Sequence, residues 1–236
     1  MQEIGLCKII KRNKIPKAIL RYIMMNFMDL ATIRKLLLTV KEMNVLDDYS
    51  KDILSNACNG FNWVCRNGHL VVAKWIAKSM RNINIHIKRG NDFELACKYG
   101  RLDVAQWVHS VADDNIYSKF QEAFIQACGA GQINMVQWLY SFNKINIHAG
   151  NERAFVVSCF YGRLDVAKWL VSIADIDIHA NNEEAFVESC MMGHINVAKW
   201  LYSIGGVDIH ANNREAFTES RRMGHKNVYQ WLVSLK

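Results

Sequence analysis

The sequence predicts an all-α solenoid of stacked helix pairs, and three residue ladders carry that prediction. Trp75, Trp107, Trp138, Trp169, Trp200 and Trp231 are separated by 32, 31, 31, 31 and 31 residues. Phe61, Phe93, Phe124, Phe155, Phe186 and Phe217 keep the same intervals, as do Gly68, Gly100, Gly131, Gly162, Gly193 and Gly224. A fixed period of this length marks a chain of small units, each unable to bury its own apolar faces, which stacking then buries. The one extra residue falls between Trp75 and His86, in SMRNIN, read as a connection because loops absorb insertions at little cost. On this ruler the chain divides into an N-terminal region, 1–56, and six units at about 57–87, 88–118, 119–149, 150–180, 181–211 and 212–236.

The unit from Asn182 to His210 shows why each piece takes its form. Glu183 to Met192 places Ala185, Phe186, Ser189 and Cys190 on one helical face with no Pro or Gly inside, which predicts a first helix. Gly193 should end it, since glycine adopts the positive φ that follows a helix C-terminus. Asn196 then stands where a cap or first-turn acceptor belongs, a slot filled by Asp103, Asn134, Asp165 and Asn227 in other units. The second helix, INVAKWLYS, is apolar around most of its circumference and must lie between neighbours. The connection GGVDIHANN is turn-rich, with a short β-like VDI.

The pattern A-F-x-x-[AS]-C-x-x-G-[RHQ]-[LI]-[DN]-V-[AV]-[KQ]-W-L, followed by I-[DN]-I-H-A, resembles the ankyrin repeat. The likeness is greatest to the divergent form found in the large ankyrin families of giant amoeba-infecting viruses, and it covers about residues 57–236. The Thr-Pro-Leu-His opening of the usual repeat is replaced by EEAF at 183–186, and the chain has a single Pro. The period is 31 instead of 33, so the connections should be shorter than full β-hairpins. What the resemblance implies is a fold of helix pairs that holds a protein partner in a concave groove and performs no catalysis.

In ankyrin proteins the two residues before each Gly line that groove. Carried onto this sequence they include Lys98, Tyr99, Phe160, Tyr161, Met191, Met192, Arg222 and Met223, with Arg66, Asn67, Gly129 and Ala130 in the remaining slots. Aromatic and Met side chains with cations at the rim have the anchor chemistry of a protein interface. The alternative is that they merely cover neighbouring helices. Trp63 lies off the tryptophan ladder, at a first-helix slot held elsewhere by Leu95, Gln126, Val157, Glu188 and Glu219.

Other ladders point to structure. His86, His148, His179 and His210 recur once per unit, with Tyr117 in the second. Stacked helices stand ~8–10 Å apart and a zinc ion needs imidazoles within ~2.1 Å, so the ladder cannot converge on one ion; these residues should tie loops. Cys65, Cys97, Cys128, Cys159 and Cys190 are likewise too far apart for disulfides and read as small core residues. The last unit has Arg221 in that slot beside Arg222, as a polar cap would. The tryptophan ladder reads as core, not as a stacking platform for bases.

The formal charge is +7, and it is carried by the first part of the chain. Between Lys8 and Lys35 eight basic residues face the single acid Asp29, while the remaining 21 basic and 21 acidic residues cancel. Nucleic-acid binding by this segment and a solvated helix face are the two explanations. Pro16 suits the first turn of a helix running to about Phe27, and Asp29 could cap a second from Leu30 to Met43. This pair is either a cap on the solenoid or something more specific. Pro16, Ile19, Leu20 and Ile23, followed by Asp29-Leu30, resemble the opening of an F-box, which would imply docking to a Skp-type adaptor and a role as substrate receptor of a cullin ubiquitin ligase.

No apolar run is long enough to span a bilayer, the N-terminus lacks a secretory signal, and seven cysteines occur without a CxxC pair. The expected setting is intracellular, in a host cytoplasm. Phosphate-cradling Gly-rich loops, HExxH and GxSxG are absent from the sequence. No catalytic residue, cofactor, metal or small-molecule substrate is therefore expected.

Overall fold

The structure is a computed structural model. It describes residues 91–112 and 114–235, the side chains at 91, 114 and 213 excepted, with a few positions between 62 and 77. The region 1–56, with Pro16, Ile19, Leu20 and Ile23, lies outside the described residues, as do Trp63, Trp75 and His86. Those described form two compact units: residues up to Ala96 with Asp103–Asp113, and Cys97–Leu102 with Asp114–Lys236.

The described elements are helices throughout, in the expected pairs. The first contains α1 (Asn91–Lys98) and α2 (Leu102–Val111). A 3₁₀ segment (Asp114–Lys119) leads into α3 (Phe120–Ala130) and α4 (Ile133–Tyr140), followed by α5 (Ala149–Phe160) with α6 (Leu164–Ile173). The last two pairs are α7 (Ala180–Met191) with α8 (Ile195–Ile204), and α9 (Ala211–Arg222) with α10 (Lys226–Ser234). From α3 onward each first helix packs on the first helix of the next pair, α3 on α5, α5 on α7 and α7 on α9. This is the ankyrin-type all-α fold. The core repeats with it: Phe124, Phe155, Phe186 and Phe217 from the first helices meet Val136, Ala167, Leu170, Val197, Leu201, Val228 and Leu232 from the second, all buried. Truncating one of these rings to Ala should cost about 3–5 kcal/mol.

The glycine ladder is explained by the turn between paired helices. Gly131, Gly162, Gly193 and Gly224 all have positive φ, between 70° and 81°. Each donates its N–H to the carbonyl three residues back, as Gly193 does to Cys190 at 3.1 Å, and the following N–H reaches the carbonyl five back, His194 to Ser189 at 2.8 Å. These two bonds form a Schellman closure, which satisfies carbonyls the helix end would otherwise orphan and needs a residue at ease in the left-handed region.

Two expectations are corrected. No strand occurs among the described residues, so the β-like VDI segment does not pair as one. The Asp or Asn before each Ile-His closes a side-chain turn instead: Asn146, Asp177 and Asp208 accept the N–H groups of His148, His179 and His210 at 3.1, 3.0 and 2.8 Å. A side chain that takes this N–H removes the need for a neighbouring strand. The described tryptophans, Trp107, Trp138, Trp169, Trp200 and Trp231, are half-buried instead of enclosed. They bridge units, with Trp200 against Phe155 and Trp231 against Phe186, both at 6.3 Å between centroids, and Trp231 edge-on to Tyr202 at 5.9 Å.

Candidate functional site

The sequence-predicted face is built from the C-terminal ends of the first helices. Lys98 and Arg222 are exposed, Tyr99, Phe160, Met191 and Met192 half-buried, and Tyr161 and Met223 exposed at 50% and 47%. Phe160 and Tyr161 stand edge-to-face at 4.7 Å. Arg222 is held by Glu219, its Nε donating to the carboxylate at 2.9 Å, and that pairing lowers the Glu219 pKa.

The structure brings Lys98, Tyr99 and Tyr161 together around a cleft of about 650 Å³, and leaves Phe160, Met191, Met192, Arg222 and Met223 outside it. The cleft exists because Gly129 and Ala130 fill the slots held by Phe160 and Tyr161 one unit later. A Cβ on Gly129 would come within 2.6 Å of Val157 Cγ1 and 3.1 Å of the Tyr161 ring, so only glycine lets those side chains close on the backbone there. Three charged lining residues were not anticipated from the sequence: Glu122, Arg153 and Arg163. Arg163 is anchored, its Nε donating to the Gly129 carbonyl at 3.1 Å. Glu122 accepts from the Gln126 amide at 2.8 Å.

The face changes character along the repeats. Around the cleft, Lys98, Arg153 and Arg163 face one carboxylate, Glu122. Further on, burial and the nearby Glu184 and Glu215 raise the pKa of Glu188, with Arg153 opposing them.

Among the described ladder histidines, His148 and His179 tie loops through their side chains. His148 Nδ1 donates to Glu152 Oε1 at 2.7 Å and His179 Nδ1 to Glu183 Oε1 at 2.8 Å. The glutamate partners were missed, although the H-x-x-x-E spacing in both units was the available signal. They stand in an unusual place: α7 opens with a left-handed turn at Asn181, Asn182 and Glu183, and α5 does so at Gly150, Asn151 and Glu152. Asn tolerates that conformation, whereas Glu is strained in it. Compensation comes from its contacts, since Glu183 Oε1 also accepts the N–H of Asp208, in the connection that leads to the next unit, at 3.2 Å. His210 lacks a carboxylate partner at this spacing and stacks on Phe217 at 5.6 Å instead.

Among the described residues, no group of three or more His, Cys, Asp or Glu is arranged to hold a metal ion. Cys65, Cys97, Cys128, Cys159 and Cys190 are buried free thiols, and burial pushes Cys190 up to about 12. Such thiols are inert. No helix among the described residues is long and apolar enough to cross a membrane.

Helix pair, Schellman glycine and 31-residue register together define a repeat array of the ankyrin class. Residues 93–182 match the family model for ankyrin repeats in three copies. Among solved structures, the ankyrin repeat domain of human ASB11 is similar in fold, with a TM-score of 0.54 and 17% identity over 74% of this chain and 82% of that one. No curated protein matches the sequence.

Proposed function

We propose that this chain is a non-catalytic interaction scaffold that holds a protein partner on its first-helix face. The observation that carries the reading is that the two residues before each ladder Gly differ in every unit, while the Gly itself recurs. Tyr161 and Met223 stay exposed there, and Met191 and Met192 are half-buried. Packing alone gives no reason to expose apolar side chains of this size, while a partner that covers them does. Ankyrin repeats elsewhere serve this purpose, which adds support by analogy. The inside of a cell, in a host cytoplasm, is the setting that suits free buried thiols.

The test is affinity capture with the intact chain and with Met192→Glu. A partner retained by the first and lost by the second, with unchanged helix content, supports the face. Full retention by the folded variant removes it.

A second reading rests on Pro16, Ile19, Leu20 and Ile23, whose spacing resembles an F-box opening. It makes the repeats a substrate receptor and the N-terminal region an adaptor dock. Purified Skp-type adaptor should then bind the intact chain and not one lacking residues 1–50; binding to neither removes this reading. The basic segment from Lys8 to Lys35 supports nucleic-acid binding only if the intact chain binds RNA or DNA with a steep salt dependence.

A further inference from the structure

The cleft at Gly129 and Ala130 narrows the partner's chemistry. It is walled by Tyr99 and Tyr161 and floored by residues too small to fill it. Its volume of about 650 Å³ accommodates a large side chain together with flanking main chain. Cations gather at it from two separate units: Lys98 from α1, and Arg153 from α5 with Arg163 just before α6. The one carboxylate in the lining, Glu122, already accepts from Gln126, while Glu188 lies near Arg153 outside it. Arg163 is fixed in place by the Gly129 carbonyl, so its guanidinium is positioned without a partner's help. Preorganised arginine beside aromatic walls favours carboxylates that flank a planar ring.

Resting on the interaction reading above, we propose that this cleft is the specificity site of the face, and that it takes an acidic peptide segment of the partner with one aromatic side chain seated between Tyr99 and Tyr161. The occupant follows from charge complementarity: three cations surround the opening, and a peptide rich in Asp and Glu answers them. Glu184, Glu188, Glu215 and Glu219 further along the face repel the same segment, which places the acidic stretch at the cleft and not beyond it. Neighbouring units show why the cleft lies here. Where Ala130 stands, they have Tyr161, Met192 and Met223.

That equivalence supplies a clean probe. Ala130→Tyr gives the third unit the residue the fourth carries at the same slot, so the fold tolerates it while the cleft closes. Lys98→Glu combined with Arg153→Glu reverses two exposed cations and leaves the core untouched. The ligand used is a phage-displayed library of random dodecamers selected on the full chain. Enriched peptides should cluster Asp and Glu about one Phe, Tyr or Trp. Both variants should weaken these peptides roughly tenfold or more, the equivalent of one close charge pair or one buried ring.

The proposal is overturned if nothing is enriched, if the enriched peptides are basic or uncharged, or if acidic ones bind both variants as tightly as the parent. Met192→Glu separates this failure from failure of the wider reading. A captured partner that is lost on Met192→Glu but kept by Ala130→Tyr and by the charge reversal leaves the scaffold and removes the cleft. Retention by all three variants removes both.

Discussion

The unit at 181–211 and the one that follows it, 212–236, share their Phe, Gly and Trp ladders, yet they are held differently. Gly193 and Gly224 have nearly the same φ, 79° and 81°. Over Gly193 lies the ring of His225 from the next unit, 2.5 Å from where a Cβ would stand, whereas nothing comes within 4 Å of that point at Gly224. Glu183 answers His179 and the Asp208 N–H, while the corresponding slot below His210 is Arg214, whose guanidinium rests 5.0 Å from the Phe217 ring centroid. Cys190 is fully buried, and its counterpart Arg221 is exposed over Tyr229. Yet Ala216, Phe217, Val228 and Leu232 remain buried. The repeat pattern therefore mixes two demands. Phe, the helix-ending Gly and the Val-Leu pair are needed inside each unit; Glu, Cys and the small space above Gly are needed between units, and these lapse in 212–236.

The largest test of this division compares two identical substitutions. Gly193→Ala and Gly224→Ala both place a Cβ on left-handed backbone, at about 1–2 kcal/mol. Gly193→Ala must also displace the His225 ring. We expect about 3 kcal/mol lost at Gly193 and about 1 at Gly224, measured as midpoint shifts in urea unfolding. Equal losses would show that the ring over the glycine contributes nothing.

Glu183→Ala should come next. It removes a carboxylate that accepts from His179 and from the Asp208 N–H, a loss of about 2 kcal/mol. Glu183→Gly sharpens the result, because it removes the same bonds while relieving the left-handed strain. A glycine variant as stable as the parent would mean that the two bonds only offset that strain.

Asp92 extends the comparison to the other compact unit. Its slot is Ala123, Ala154, Ala185 and Ala216 in the later repeats, and its carboxylate is fully buried with neither oxygen hydrogen-bonded. Burial raises its pKa to about 7. Because the folded value lies above the unfolded one of 3.8, the folded form binds the proton more tightly. Its contribution is fully present below about pH 4 and is lost as the pH rises through about 7. Asp92→Ala should therefore stabilise by about 1–2 kcal/mol at pH 8, with a gain that vanishes near pH 4. A gain independent of pH would assign the effect to packing and not to the carboxylate.

The division also explains what was legible in the sequence. Demands inside a unit leave the same residue at the same place every time, so the Phe and Gly ladders announced helix, turn and core directly. Demands between units fall on residues far apart in the chain and appear only as loose classes. The Gln, Arg or His after each Gly was visible as [RHQ], but its packing over the glycine of the preceding unit was not; Arg163 over Gly131 is one case. The left-handed turns were hidden because A-N-N-E reads equally well as a loop or as a helix start. At the candidate face, Lys98, Tyr99 and Tyr161 were reached through the residues before each Gly. Arg153 was missed because it sits at the opposite end of its helix and joins the cleft only through stacking.

The smallest expected effect asks whether a His–Glu pair can act at His210, where the slot of Glu183 is held by Arg214. Arg214→Glu places a carboxylate four residues after His210, the spacing that joins His179 to Glu183. Inside the array Glu183 has a second donor, the Asp208 N–H, and is buried. Arg214 is exposed, so the introduced pair would be screened by water, and losing the guanidinium against Phe217 opposes it. The two changes should nearly cancel, within about 0.5 kcal/mol in urea unfolding. A gain of about 1.5 kcal/mol or more would mean that the pair stabilises the left-handed turn on its own. The glutamate would then belong with Phe and Gly among the demands inside each unit, and Arg214 would mark a site where stability has been given up.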